Sequence, residues 1–136
     1  MVAATGEVTL GGDGLVQFDG TTWTQIPIKI GGFSYVQHMW GESADNIWIG
    51  DYLGTLQWDG SDTKVRWPSG SGTFPVLAGA DDDNVLAGVA GKLVRFSASG
   101  PSAVPFATGS TLNGAHTGAD GTTYFVGYYG LIVRVE

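Results

Sequence analysis

A period of about 38 residues constrains this chain more than any other feature in it. Val36, Phe74 and Leu112 are spaced by 38 and 38, and so are Met39, Leu77 and Ala115. Gly12, Gly50, Gly88 and Gly127 follow at 38, 38 and 39. The triplets ahead of those glycines read alike: Val8-Thr9-Leu10, Ile47-Trp48-Ile49, Val85-Leu86-Ala87 and Tyr124-Phe125-Val126. After each comes a short turn, a second glycine (Gly14, Gly54, Gly91, Gly130) and another apolar segment. Fixed-period self-similarity is the signature of a repeat architecture, where one supersecondary unit recurs.

Glycine decides what the unit is made of. The chain has 23 Gly in 136 residues, and no stretch free of Gly and Pro exceeds 8 residues. Helices of about 8–20 residues have no room, since each interior Gly costs roughly 1 kcal/mol against Ala. What remains is an all-β chain of short strands, with 43% hydrophobic residues to bury. Each unit resolves into four, called a to d in chain order. Strand a is Val36–Trp40, Phe74–Ala78 or Leu112–His116; strand b is the apolar triplet. Strand c is Leu15–Phe18, Thr55–Trp58, Lys92–Phe96 or Leu131–Val135. Strand d is Thr22–Ile26, Thr63–Trp67 or Ala103–Phe106. The b–c junction needs a tight turn, and its glycine supplies a positive φ. The whole chain, 1–136, reads as one repeat domain with units 7–30, 33–68, 73–107 and 111–136.

Four antiparallel strands per roughly 40 residues is the period of a propeller blade. The run Met39-Trp40-Gly41-Glu42-Ser43-Ala44-Asp45-Asn46-Ile47-Trp48-Ile49-Gly50, followed by Gly54-Thr55-Leu56-Gln57-Trp58-Asp59-Gly60, resembles the blades of bacterial tandem-repeat β-propellers. Those read roughly V-W-G-S-x-x-D-V-W-A-V-G-x-x-G-x-I-x-x-W-D-G. The match loosens in the next unit, where Ala78 replaces the Trp and Ser97-Ala98 replace Asp-Gly. It is loosest in the last, where His116-Thr117 stand for Trp-Gly. The resemblance implies a fold and leaves activity open, because propellers serve many roles.

The strand pattern runs bcd, abcd, abcd, abc, or about 3.5 blades, whereas propellers close with about 4–8. Two chains would supply the strands of seven four-stranded blades, so a homodimeric ring is expected. A β-trefoil, also built from three four-stranded repeats, is the alternative that closes as a monomer.

Charge and composition narrow the function. The formal net charge is -7, so nucleic acid and anionic membranes are not expected partners. With Cys 0, thiolate metal sites are excluded. No signal peptide or membrane-spanning run is recognisable, so the compartment is open: cytoplasmic, or a mature piece written without its signal. No HExxH, Walker loop, GxSxG or dinucleotide fingerprint occurs. His38 and His116 fall in different columns of the repeat, and no cofactor or metal is expected. Asp81-Asp82-Asp83-Asn84 lacks an EF-hand pattern and reads as a solvated turn.

The a–b and c–d loops share one side of the unit and carry most of the acids, Asp19, Asp59, Asp81 and Asp120 among them. The other side, holding the b–c and d–a loops, presents aromatics. Phe33, Asp51, Tyr52, Tyr128 and Tyr129 are therefore the candidate ligand-binding residues. Aromatics beside polar groups suit a ligand or protein interface; packing between neighbouring units is the other reading for the tyrosines. Trp48 and Trp58 are expected in the core, and Trp23 and Trp67 partly exposed. The expected function is a non-enzymatic binding or scaffold module. Alternatives are a lectin-like module taking carbohydrate on its aromatic loops, and a fragment or engineered section of a larger propeller. A glycosidase would need two carboxylates about 5–9.5 Å apart with one pKa raised, and the loop acids give no reason for that.

Overall fold

The computed structural model describes residues 2–5, 14–27, 36–68 and 75–136. Among them stand fourteen strands in four antiparallel sheets. Sheet 1 is β1 (Val2–Thr5), β2 (Gly14–Phe18) and β3 (Trp23–Pro27); sheet 2 is β4 (Val36–Ser43), β5 (Asn46–Asp51), β6 (Gly54–Trp58) and β7 (Thr63–Pro68). Sheet 3 is β8 (Val76–Gly79), β9 (Val85–Val89), β10 (Lys92–Ser97) and β11 (Gly100–Ala107); sheet 4 is β12 (Leu112–Thr117), β13 (Thr123–Gly127) and β14 (Ile132–Val135). Spatial order equals chain order in every sheet, so each is a meander. The innermost described strands lean on one another: β1 on β4, β4 on β8, β8 on β12. A trefoil requires strands of different units to pair in a barrel. Among the described residues every ladder joins strands consecutive in the chain, and no such pairing between sheets is present.

Turn chemistry recurs with the units. Asp19 Oδ1 accepts hydrogen bonds from the backbone N–H of Thr21 and Thr22, each at 2.8 Å. Asp59 Oδ1 does the same for Ser61 and Asp62, at 3.1 and 2.8 Å. A carboxylate that caps its own turn offers the backbone an alternative to the ladder and ends the strand. Gly20 and Gly60 follow at φ of 112° and 88°, where a side chain would be strained. On the other side of the sheets, β9 and β10 are joined by Ala90 and Gly91 alone, both at positive φ. That is the primed two-residue turn expected of a tight hairpin.

Three apolar layers hold the sheets together. Leu15 of sheet 1 packs with Ile47, Ile49, Leu56 and Trp58 of sheet 2. Trp48, on the opposite face of sheet 2, meets Leu77, Val85, Ala87, Val94 and Phe96 of sheet 3. Val76, Leu86 and Leu93, on the far face of sheet 3, meet Leu112, Phe125 and Val135 of sheet 4. Alternation along each strand thus sends one residue back to the preceding sheet and the next forward to the following one. A buried side chain of this size contributes about 1.5–3 kcal/mol. Trp48 and Trp58 are buried and Trp23 and Trp67 exposed, as the sequence suggested.

The register corrects the sequence alignment at two places. His38 lies opposite Gly50, Val76 opposite Gly88 and Gly114 opposite Val126. The fourth member of the glycine column is therefore Val126, and the period holds at 38. Gly127 pairs with Leu112, beyond a register shift. The fourth b-strand core is Thr123-Tyr124-Phe125, one residue earlier than expected. A one-residue slip exchanges the two faces of a strand, so Phe125 faces back into the core and Tyr124 and Val126 face forward. The second place is the N-terminal unit. The expected strand Val8–Leu10, with Gly12, lies outside the described residues, and the strand paired with β2 is β1, from Val2↔Gln17 to Thr5↔Gly14.

Glycine in that column has a steric cause. A Cβ on Gly50 would run into the carbonyl oxygen of Pro75, where the chain enters sheet 3, and one on Gly88 would meet Leu112 Cδ1 at 2.6 Å. Each glycine admits the first strand of the next sheet.

Candidate functional site

Among the described residues, the b–c side of sheet 4 carries the most exposed aromatics. β13 and β14 are joined by a single 3-10 turn, Tyr128–Gly130. It is anchored by backbone bonds from Tyr128 N–H to the Thr111 carbonyl at 3.1 Å and from Gly127 N–H to the Leu131 carbonyl at 3.0 Å. Tyr129 is held at φ 60°, ψ 27°, left-handed backbone that costs a non-glycine residue about 1–2 kcal/mol. Its side chain is 99% exposed and that of Tyr128 58%. The two rings lie 6.4 Å apart at 57°. Neither packs between sheets of this chain, so that reading of the pair does not hold here.

The other candidates divide. Tyr52 is exposed in the β5–β6 turn, with sheet 3 between it and the Tyr128–Tyr129 pair in the stacking order. Asp51 is fully buried, and its Oδ1 accepts the Leu53 N–H at 2.7 Å. Its carboxylate shapes the turn below Tyr52 and does not reach the surface, contrary to its expected role as an exposed polar group. Phe33 lies outside the described residues, as do Asp13 and Phe74. Of the four candidates among the described residues, the structure brings together Tyr128 and Tyr129.

The acids of the opposite side are turn formers. Asp19 and Asp120 are held below the ordinary carboxylate range chiefly by backbone N–H donors, from Thr22 and Thr21 to Asp19 and from Thr122 to Asp120. Asp59 is lowered furthest, first by Lys64, whose Nζ lies 2.6 Å from Oδ2, then by the Asp62 N–H. Asp81 Oδ1 accepts the Asp83 N–H at 3.0 Å and Asn84 Nδ2 at 2.9 Å, which makes the triple-Asp run a closed turn. Among the described residues no three His, Cys, Asp or Glu converge to hold a metal. His38 is half-buried in β4, and burial lowers its pKa. His116 stands exposed opposite Tyr124, a different column as the repeat implied.

Two features escaped the sequence reading. An open hollow of about 300 Å³ lies against the β4–β5 hairpin, lined by Met39, Trp40, Glu42, Ser43 and Ile47 among others. Its signal was the Trp40-Gly41-Glu42-Ser43 run, read only as a fold motif. The forward face of sheet 4 exposes Tyr124, Val126 and Ile132, and the mistaken slip had hidden it. Comparison with protein-family models and with curated proteins gives no match for this chain.

Proposed function

We propose that the chain is a non-enzymatic propeller-type binding and scaffold module whose copies associate into a closed ring. One observation carries this reading: each sheet lays its innermost described strand on that of the next and buries an apolar layer between them. Sheets 2 and 3 are covered on both faces; sheet 4 is covered on one. Meanders radiating from shared first strands are how propeller blades are arranged. Among the described residues the two terminal sheets hold three strands each. Two copies then bring twice four sheets, which makes eight blades the ring size counted by sheets, beside the seven counted by strands. Light scattering tests the assembly. A mass near twice 14.2 kDa supports it, and a stable 14.2 kDa species at micromolar concentration sinks it.

The Tyr128–Tyr129 pair favours a second reading, lectin-like binding. Exposed rings on a fixed turn offer flat apolar faces for the C–H side of a pyranose, and ring assembly would multiply the sites and the avidity. A glycan array decides it: signal lost in Tyr129→Ala supports carbohydrate, and an array blank for the assembled protein removes it.

A further inference from the structure

We infer that the forward face of sheet 4 receives sheet 1 of a second copy, with Tyr124 seated on Phe18 and Arg134 meeting Asp19. The inference rests on the ring reading and names its joint.

The chain contains three examples of how one sheet receives the next, and their columns can be followed to its ends. Forward-facing positions in the second strand are Trp48, Leu86 and Tyr124; in the third strand they are Thr55, Leu93 and Ile132. The first two members of each column are 0–3% exposed, whereas Tyr124 is 44% and Ile132 69% exposed. Sheet 4 therefore repeats the apolar pattern that elsewhere buries a following sheet.

Back-facing positions give the occupant. Trp58 and Phe96 fill the last back-facing position of the third strand in sheets 2 and 3, and Phe96 lies 4.9 Å from Trp48 of the sheet before it. In sheet 1 that position is Phe18, since Asp19-Gly20 repeats Asp59-Gly60. Phe18 stacks on Trp23 at 4.9 Å, and Trp23 is 51% exposed, so the pair makes an aromatic surface.

Charge and shape agree. Arg95 of sheet 3 reaches the Glu136 carbonyl just past the third strand of sheet 4, at 3.0 Å. Arg134 is the next member of the Arg95 column, and Asp19 stands where Glu136 does. In this chain Arg134 bonds exposed Glu136 at 2.6 Å; in the joint it turns to the carboxylate of the second copy. Val126 replaces the glycine of Gly50 and Gly88, which admits the first strand of an incoming sheet. The innermost described strand of sheet 1, β1, pairs as a second strand does, so the space reserved elsewhere for a first strand is filled by the valine.

The chain has no Cys, so introduced thiols report cleanly. The double variant Tyr124→Cys/Phe18→Cys, treated with a short bis-maleimide, should run near twice 14.2 kDa on a denaturing gel. Tyr124→Cys/Trp23→Cys gives the same product and covers the case in which Phe18→Cys fails to fold. Each single variant should stay at 14.2 kDa. A dimer band from Tyr124→Cys alone would mean face-to-face packing and overturn the pairing. A dimer in light scattering without cross-linking in either double variant refutes this joint and keeps the assembly. A monomer in light scattering refutes both, and leaves the face to other polypeptide.

Discussion

At the scale of single residues, the fold depends on which face a side chain occupies. Trp48 is 2% exposed between sheets 2 and 3, against Phe96 on one side and with the Arg66 guanidinium 5.7 Å above its ring. Trp48→Ala should lower stability by about 3–5 kcal/mol, because the flanking sheets cannot collapse onto the void. Urea melts check this, and an unchanged midpoint would place the column in solvent. Asp19, Asp59 and Asp120 all have folded pKa values lowered from 3.8 by the bonds they accept. A carboxylate with a depressed folded pKa stabilises the native state above its unfolded pKa and loses that contribution as pH falls through the folded value. The melting temperature should hold down to about pH 4 and drop below it. Asp59→Asn should flatten that acid limb, and an equally steep limb would assign it to other groups. Asp51 was misjudged at this scale because a turn Asp that caps inward and one that faces solvent share the same sequence context.

At the scale of elements, the strands were legible where the 38-residue period held and lost where it broke. Strands β4–β14 follow the repeat because apolar alternation, Asp-Gly turns and column glycines all point the same way. β1 was missed because eight residues separate it from β2, where two separate β5 from β6 and β9 from β10. The slip in β13 arose because Gly127 mimics a column glycine one residue late. A period of two punishes such an error fully, since every side chain changes face. It cost the reading of Tyr124 and Val126. The β13–β14 turn tests whether Tyr129 serves the fold. Glycine takes φ 60° without a steric penalty. Tyr129→Gly should leave stability equal or raise it by up to about 1 kcal/mol, even after the flexibility glycine adds to the unfolded chain. Its carbohydrate signal should fall at the same time. Loss of stability instead would make the tyrosine a structural anchor.

At the scale of the whole molecule, the question is how a stack of four sheets treats its ends. Interior sheets are held on two faces, and the terminal face of sheet 4 carries Tyr124, Val126 and Ile132 in the open. Apolar surface of that kind associates, and obligate interfaces commonly bury about 2,000 Å² or more. Opposing this, each copy carries a formal charge of -7. The acids concentrate on the turn side of every sheet, so two copies brought into one ring repel along that rim. Salt separates these effects. The Debye length shrinks from about 30 Å at 0.01 M to about 10 Å at 0.1 M, which screens rim repulsion while leaving apolar burial in place. Association should therefore tighten as salt rises over that range. The melting temperature should also climb with protein concentration, because folding and assembly are linked by mass action. Calorimetry across a hundredfold concentration series at both salt levels measures the two slopes. A melting temperature independent of concentration would mean the stack is complete as a single chain, and a dimer that weakens with salt would place ion pairs, Arg134 with Asp19 first among them, above apolar burial in holding it.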